Sequence, residues 1–212
     1  MKPLTLTNLF ADMPEKISII YDHYKDTCSI IREGVKRRDR LMIFVVLALG
    51  FLAFQIISPI TSNVLVNDFV NFKFGLNLKL DLTIIGNVAW VLLLILTVRY
   101  FQVAVFVERQ YSYVHKLENS LNKESGENVI TREGKSYLDK YPIFSDWMWV
   151  LYTIIFPLLL LAVSTAKIIG EIKIVCVDGL SSSTFLNVII FILLAISIIL
   201  YLIVIHKKTK KE

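Results

Sequence analysis

The chain has 212 residues, 55% of them hydrophobic and 19% charged, with a formal net charge of +5. Soluble domains carry about one quarter charged residues, so this composition excludes an ordinary soluble domain, a disordered chain and a collagen-like repeat. Two cysteines, Cys28 and Cys176, make no CxxC or zinc spacing and exclude a disulfide framework.

Residues 1–40 read as a cytosolic amphipathic arm. Asp12-Met13-Pro14-Glu15 is a helix start, with an N-cap acid and a Pro in the first turn. Ile17, Ile20, Tyr24, Cys28, Ile31 and Val35 then recur at three- and four-residue steps, an apolar helical stripe. The stripe fits a helix lying on the inner leaflet or one packing against other helices, and the arm's even charge balance favours packing. Six acids and no continuous apolar core argue against a cleaved signal peptide. Nor does Met1-Lys2-Pro3 fit a myristoylation signal, or the last residues a CaaX box.

A hydrocarbon core about 30 Å thick needs roughly 20 apolar residues. Four stretches meet that length: 41–60, 82–107, 147–168 and 185–206. The second continues in near-heptad spacing through Val103, Val107, Val114, Leu117 and Leu121, which predicts one helix to about residue 122. Residues 123–146 read as a cytosolic loop with a short helix at Thr131–Leu138, and 207–212 as a basic tail. Pro157 lets the third span kink.

The loops at 61–81 and 169–184 alternate instead. Phe72, Phe74, Leu76, Leu78, Leu80 and Leu82 interleave with polar residues, as do Ile172, Ile174 and Cys176 with Glu171 and Lys173. Period-two alternation predicts strands, and Val64–Val66 offers a hairpin partner. The expected fold is an all-α four-helix transmembrane bundle with helical cytosolic extensions and a small extracytoplasmic β-cap.

Nineteen of 23 Lys and Arg residues fall in the arm, between Arg99 and Lys140, or in the tail. By the positive-inside rule this places both termini in the cytoplasm of a cell (inner) membrane protein. The basic excess is thus an orientation signal, and no direct nucleic-acid binding is expected. Trp90, Tyr100, Trp147, Trp149, Tyr152 and Tyr201 sit near span ends, where interfacial anchors belong.

Polar residues within spans carry functional weight by default. Gln55, Asn87, Ser164, Thr165, Lys167 and Asn187 fall near the outer end of their spans by depth arithmetic. They predict either interhelical hydrogen bonds or the mouth of a pore, in a layer that no acid joins. Arg99, with Gln102 one turn on, snorkels to the inner interface or touches lipid phosphate, as do Arg37, Arg38 and Arg40. No Walker loop, HExxH, GxSxG or GxGxxG occurs, and His23, His115 and His206 lie on separate segments. We expect no catalytic residues, no metal and no cofactor.

The stretch Glu108-Arg109-x-Tyr111-x-Tyr113-x-x-x-Leu117-Glu118-x-x-Leu121, followed by Arg132-Glu133-Gly134-Lys135 and Tyr137-Leu138-x-x-Tyr141-Pro142, resembles small four-span membrane subunits of bacterial anti-phage defence systems. The resemblance implies sensing of infection at the envelope or perturbation of the membrane, together with a cytosolic protein partner. Glu108, Arg109, Tyr111, Tyr113, Glu118, Arg132, Glu133 and Tyr137 are the candidate partner contacts. Three functions follow as expectations: a non-enzymatic sensor or effector coupling the outer cap to the cytosolic helices, an oligomeric pore or small transporter, or a scaffold recruiting a cytosolic enzyme. Four spans seldom enclose a conduit alone, so a homo-oligomer in the lipid bilayer is expected.

Overall fold

The computed structural model describes residues 15–75, 81–125, 143–178 and 182–209. Six α-helices account for nearly all of them: α1 Glu15–Ile57, α2 Pro59–Phe74, α3 Leu82–Ser125, α4 Ile143–Val150, α5 Phe156–Asp178 and α6 Ser182–Thr209. A π turn, Leu151–Ile155, joins α4 to α5 without a break. Four helical segments, within Glu15–Ile57, Thr83–Ser125, Trp147–Lys173 and Ser182–Ile205, are long and apolar enough to cross a membrane.

The distribution of side chains suits an apolar solvent. Only 22–33% of each apolar window is buried within the chain. Leu47, Leu92, Leu159, Ile196 and Leu200 stand about half exposed, while Trp90, Thr97 and Ser164 are fully buried. Apolar patches of this extent mark a lipid or protein environment.

No strand occurs among the described residues, so the expected β-cap is replaced by helix. Pro59 supplies the first position of α2, where its missing N–H costs nothing. Gly75 ends α2 in the left-handed conformation, at φ 63°. In the third loop, Glu171, Ile172, Lys173, Ile174 and Cys176 all lie on α5. The alternation was too short to exclude a helix, and Lys167–Glu171 and Ile168–Ile172 are also i,i+4 pairs. A helix satisfies its own backbone, whereas a strand needs a partner edge. Leu76, Leu78 and Leu80 lie outside the described residues.

Pro157 follows directly on the π turn, where Phe156 N–H donates to Leu151 O. Pro157 itself has no N–H to give to the preceding turn. The widened turn absorbs that loss inside an otherwise continuous helix.

The chain divides into two compact units, residues 1–37 with 103–146 and residues 38–102 with 147–212. In the first, α1 and α3 form an antiparallel hairpin. Ile31, Val107 and Val114 are its buried core, flanked by Tyr24, Cys28, Val35 and Val103. Lys16 Nζ meets Glu124 Oε1 at 2.5 Å, and Tyr24 Oη donates to Glu118 Oε1 at 3.2 Å. Burial, then the adjacent Cys28 and Glu118, push the Tyr24 phenol well above its ordinary value. A Cβ on Gly34 would stand 2.7 Å from Val107 Cγ2, so the two helices touch there backbone to side chain.

Inward positions recur every seven residues. Along α1 they are Ile17, Tyr24, Ile31, Arg38, Val45 and Leu52; along α3, Leu93, Tyr100, Val107, Val114 and Leu121. This is the period of a coiled-coil seam.

Two predictions follow from the hairpin. Valine is stiff at χ1, so Gly34→Ala lowers stability by about 1–3 kcal/mol, read as a lower thermal midpoint in detergent. Val107→Ala in the same chain recovers part of the loss, and an unchanged midpoint in Gly34→Ala refutes the close approach. The raised phenol makes the Tyr24–Glu118 contribution fully present below the unfolded tyrosine pKa and lost as pH rises through the folded one. Alkaline difference spectra should show one late-titrating tyrosine that disappears in Tyr24→Phe.

Candidate functional site

Within the second unit, aromatic contacts set the direction of the helices. Trp90 packs edge-on against Phe191, Tyr100 edge-on against Phe156, and Phe101 stacks on Tyr201 with ring centroids 4.1 Å apart. Helix α6 therefore runs parallel to α3, and α5 antiparallel to it.

Glu171 lies where the three helices converge. It is the one acid in the stretches 41–57, 82–107, 147–173 and 182–205. Its Oε1 accepts from Trp90 Nε1 at 3.1 Å and its Oε2 from Asn187 Nδ2 at 2.9 Å. One turn back on the same helix, Lys167 Nζ stands 3.5 Å from Oε1. Both ionic side chains are about one-sixth exposed, at 15% and 16%. One carboxylate thus ties α3, α5 and α6, with a cation on hand to neutralise it. Lys N-terminal to Glu is the weaker i,i+4 order for an isolated helix, so tertiary contacts account for the arrangement better than helix propensity does. A short link lies on the same two helices, where Ser183 Oγ donates to Asn87 Oδ1 at 2.7 Å.

Each of the four apolar helical segments also contributes a buried polar side chain with atoms that no protein group satisfies. These are both amide atoms of Gln55, the hydroxyls of Thr97 and Ser164, and Oδ1 of Asn187. Thr97 and Ser164 each lie seven residues from the Trp90–Glu171 contact, about 10 Å along antiparallel helices. Both hydroxyls therefore occupy the same level of the bundle. Ser and Thr in helices commonly bond the carbonyl four residues back, and Thr165 does so to Leu161 O at 2.7 Å. Its hydroxyl is satisfied by its own helix.

Of the sequence candidates, Lys167 and Asn187 meet at Glu171, Asn87 pairs with Ser183, and Gln55 is buried at 2% exposure. Glu171 is the residue the sequence reasoning missed, and the layer expected to hold no acid is centred on one. Its i,i+4 spacing from Lys167 was the available signal. Trp90, Tyr100 and Tyr201 are buried rather than interfacial, whereas Trp147 and Trp149 are exposed. Arg99 is exposed and donates to Gln102 Oε1 at 3.3 Å. Arg38 pairs with Asp39 at 2.9 Å, and Arg37 and Arg40 are exposed.

On the hairpin, Arg109, Tyr111 and Tyr113 are exposed and Glu108 is partly so. Glu118 is buried at 3% and bonded to Tyr24, which removes it from any contact surface. Arg132, Glu133 and Tyr137 lie outside the described residues. Among the described residues no three His, Cys, Asp or Glu side chains converge to hold a metal. No protein-family model, curated protein or solved structure matches the chain.

Glu171→Leu leaves the Trp90 and Asn187 donors and the Lys167 charge unpaired, and should cost on the order of 3 kcal/mol. Glu171→Gln retains an acceptor for Trp90 and should cost less. Thermal unfolding of the two variants in one detergent measures the difference, and equal midpoints would show that the carboxylate ties nothing together.

Proposed function

We propose that the chain is a non-enzymatic sensor or effector of the bacterial inner membrane, with both termini cytoplasmic, serving anti-phage defence with a cytosolic protein partner. The observation that carries this reading is the seven-residue line along α1 and α3. Each of these is a single helix with an apolar stretch at one end and a strand of the hairpin at the other. A stiff helix passes on displacement or rotation without absorbing it in a loop. Glu171 and its donors are the polar group at the far end of the bundle on which a trigger acts. The exposed Arg109, Tyr111 and Tyr113 on the hairpin are the surface the cytosolic partner reads.

Phase tests the coupling. One alanine inserted after Ala104 turns residues 105–125 by about 100° relative to the span, whereas a seven-residue insertion restores the phase. Cells carrying the chain with its neighbouring genes should lose protection against phage with the single insertion and keep it with the heptad. Undiminished protection with the single insertion, at equal amounts of protein in the membrane, rejects the mechanism.

The unsatisfied polar atoms favour a second reading, a conduit for ions or small solutes. Buried polar groups in hydrocarbon are costly, and Gln55, Thr97, Ser164 and Asn187 come one from each apolar helical segment. Proteoliposomes should then show an ion flux that falls at least tenfold in Gln55→Leu and Asn187→Leu. Flux equal to that of empty liposomes sinks the conduit.

A further inference from the structure

The hairpin of residues 15–37 and 103–125 carries opposite charge on its two outer edges. On α3 the positions pointing directly away from the buried Val107–Val114–Leu121 line are Arg109, Lys116 and Lys123, at seven-residue steps. All three are exposed, and no acid shares that line. On α1 the face away from Ile17, Tyr24 and Ile31 carries Glu15, Asp22, Asp26 and Glu33, also all exposed. Lys25 and Arg32 lie on its flank. Among the described residues the hairpin's side-chain ion pair is Lys16–Glu124, so Asp26, Glu33, Arg109 and Lys116 have no counter-ion in their own chain.

The heights of these charges match. Lys16 stands opposite Glu124, Tyr24 opposite Glu118, and Gly34 opposite Val107. In that antiparallel register Glu33 is level with Arg109 and Asp26 with Lys116, each within one residue, about 1.5 Å. Lys123 falls between the levels of Glu15 and Asp22. Exposed apolar side chains accompany both edges, Ile19 beside the acids and Phe106 and Tyr113 beside the bases.

We propose that these edges join copies of this chain side by side, the acidic edge of α1 in one copy against the basic edge of α3 in the next. A membrane holds all copies in one orientation and at one depth, so charges level within a chain are level between neighbours. The contact is head-to-tail, a geometry that closes into a ring instead of stopping at a dimer. Isolated surface ion pairs contribute little, but a row held in register by a shared bilayer selects partner and orientation. The proposal rests on the membrane reading and is independent of what the assembly does.

Cross-linking in native membranes tests it. Asp26→Cys with Lys116→Cys, in a chain where Cys28 and Cys176 are serine, places two thiols on opposite outer edges. They are too far apart to bridge within a chain, since a disulfide needs Cα atoms within about 7 Å. Mild oxidation should give dimer, trimer and higher bands, which either single cysteine alone does not give. With those cysteines in place, Glu33→Lys should reduce the ladder at least fivefold, and adding Arg109→Glu should restore it. Both residues point outward, and unchanged helicity by circular dichroism confirms the fold. Absence of a ladder overturns the proposal, as does a dimer formed by Asp26→Cys alone, which would mean a like-to-like contact. A ladder abolished by anionic lipid and present only in phosphatidylcholine nanodiscs would assign the basic edge to lipid headgroups and overturn it equally.

Discussion

A seven-residue recurrence of inward-facing side chains along α1 and α3 underlies most of this molecule. It determines which residues of two helices, each over 40 residues long, face protein and which face their surroundings. The same rule serves two solvents. In the hairpin the inward line is Ile31, Val107 and Val114 and the outward side chains are charged. In the apolar stretches the inward line includes Val45, Leu52, Leu93 and Tyr100, and the outward side chains are Leu, Ile and Phe. Spacing decides direction, and the outward residue type follows the medium it meets.

Association of apolar helices in lipid lacks the hydrophobic drive available in water, because the hydrocarbon is as apolar as the side chains it would replace. Specific ties must then come from packing and polar contacts. The second unit has both: stacked and edge-on aromatic pairs at Phe101–Tyr201 and Tyr100–Phe156, and the Glu171 carboxylate shared by Trp90, Asn187 and Lys167. The unsatisfied atoms of Gln55, Thr97 and Ser164 indicate that the interior is not packed for stability alone.

Much of the helical architecture was legible in the sequence, because membrane thickness and heptad period are strong one-dimensional signals. Val107, Val114 and Leu121 mark the extended helix by spacing and are the residues found buried. The outer segments misled for a physical reason. Alternation of apolar and polar residues signals a strand only where a partner edge is available, and nothing in the sequence around Glu171–Lys173 shows whether one is. Assigning that segment to a strand put Glu171 in a loop and removed the acid from the polar layer. The burial of Trp90 was hidden likewise, since an indole near a span end fits an interface as well as a buried carboxylate. What stayed illegible was tertiary: which helix supplies the partner of a polar group.

The π turn at Leu151–Ile155 has a consequence for how sequences of this kind should be aligned. One more residue per turn than the surrounding helix advances everything beyond it by about 100°. The exposed Trp147 and Trp149 before the turn and the Lys167–Glu171 pair after it therefore hold their mutual facing only with that residue present. A related chain lacking it could match this one closely on both sides and still turn its acid toward the lipid. Between residues 150 and 156, then, the length of the segment carries more structural information than the identity of its side chains.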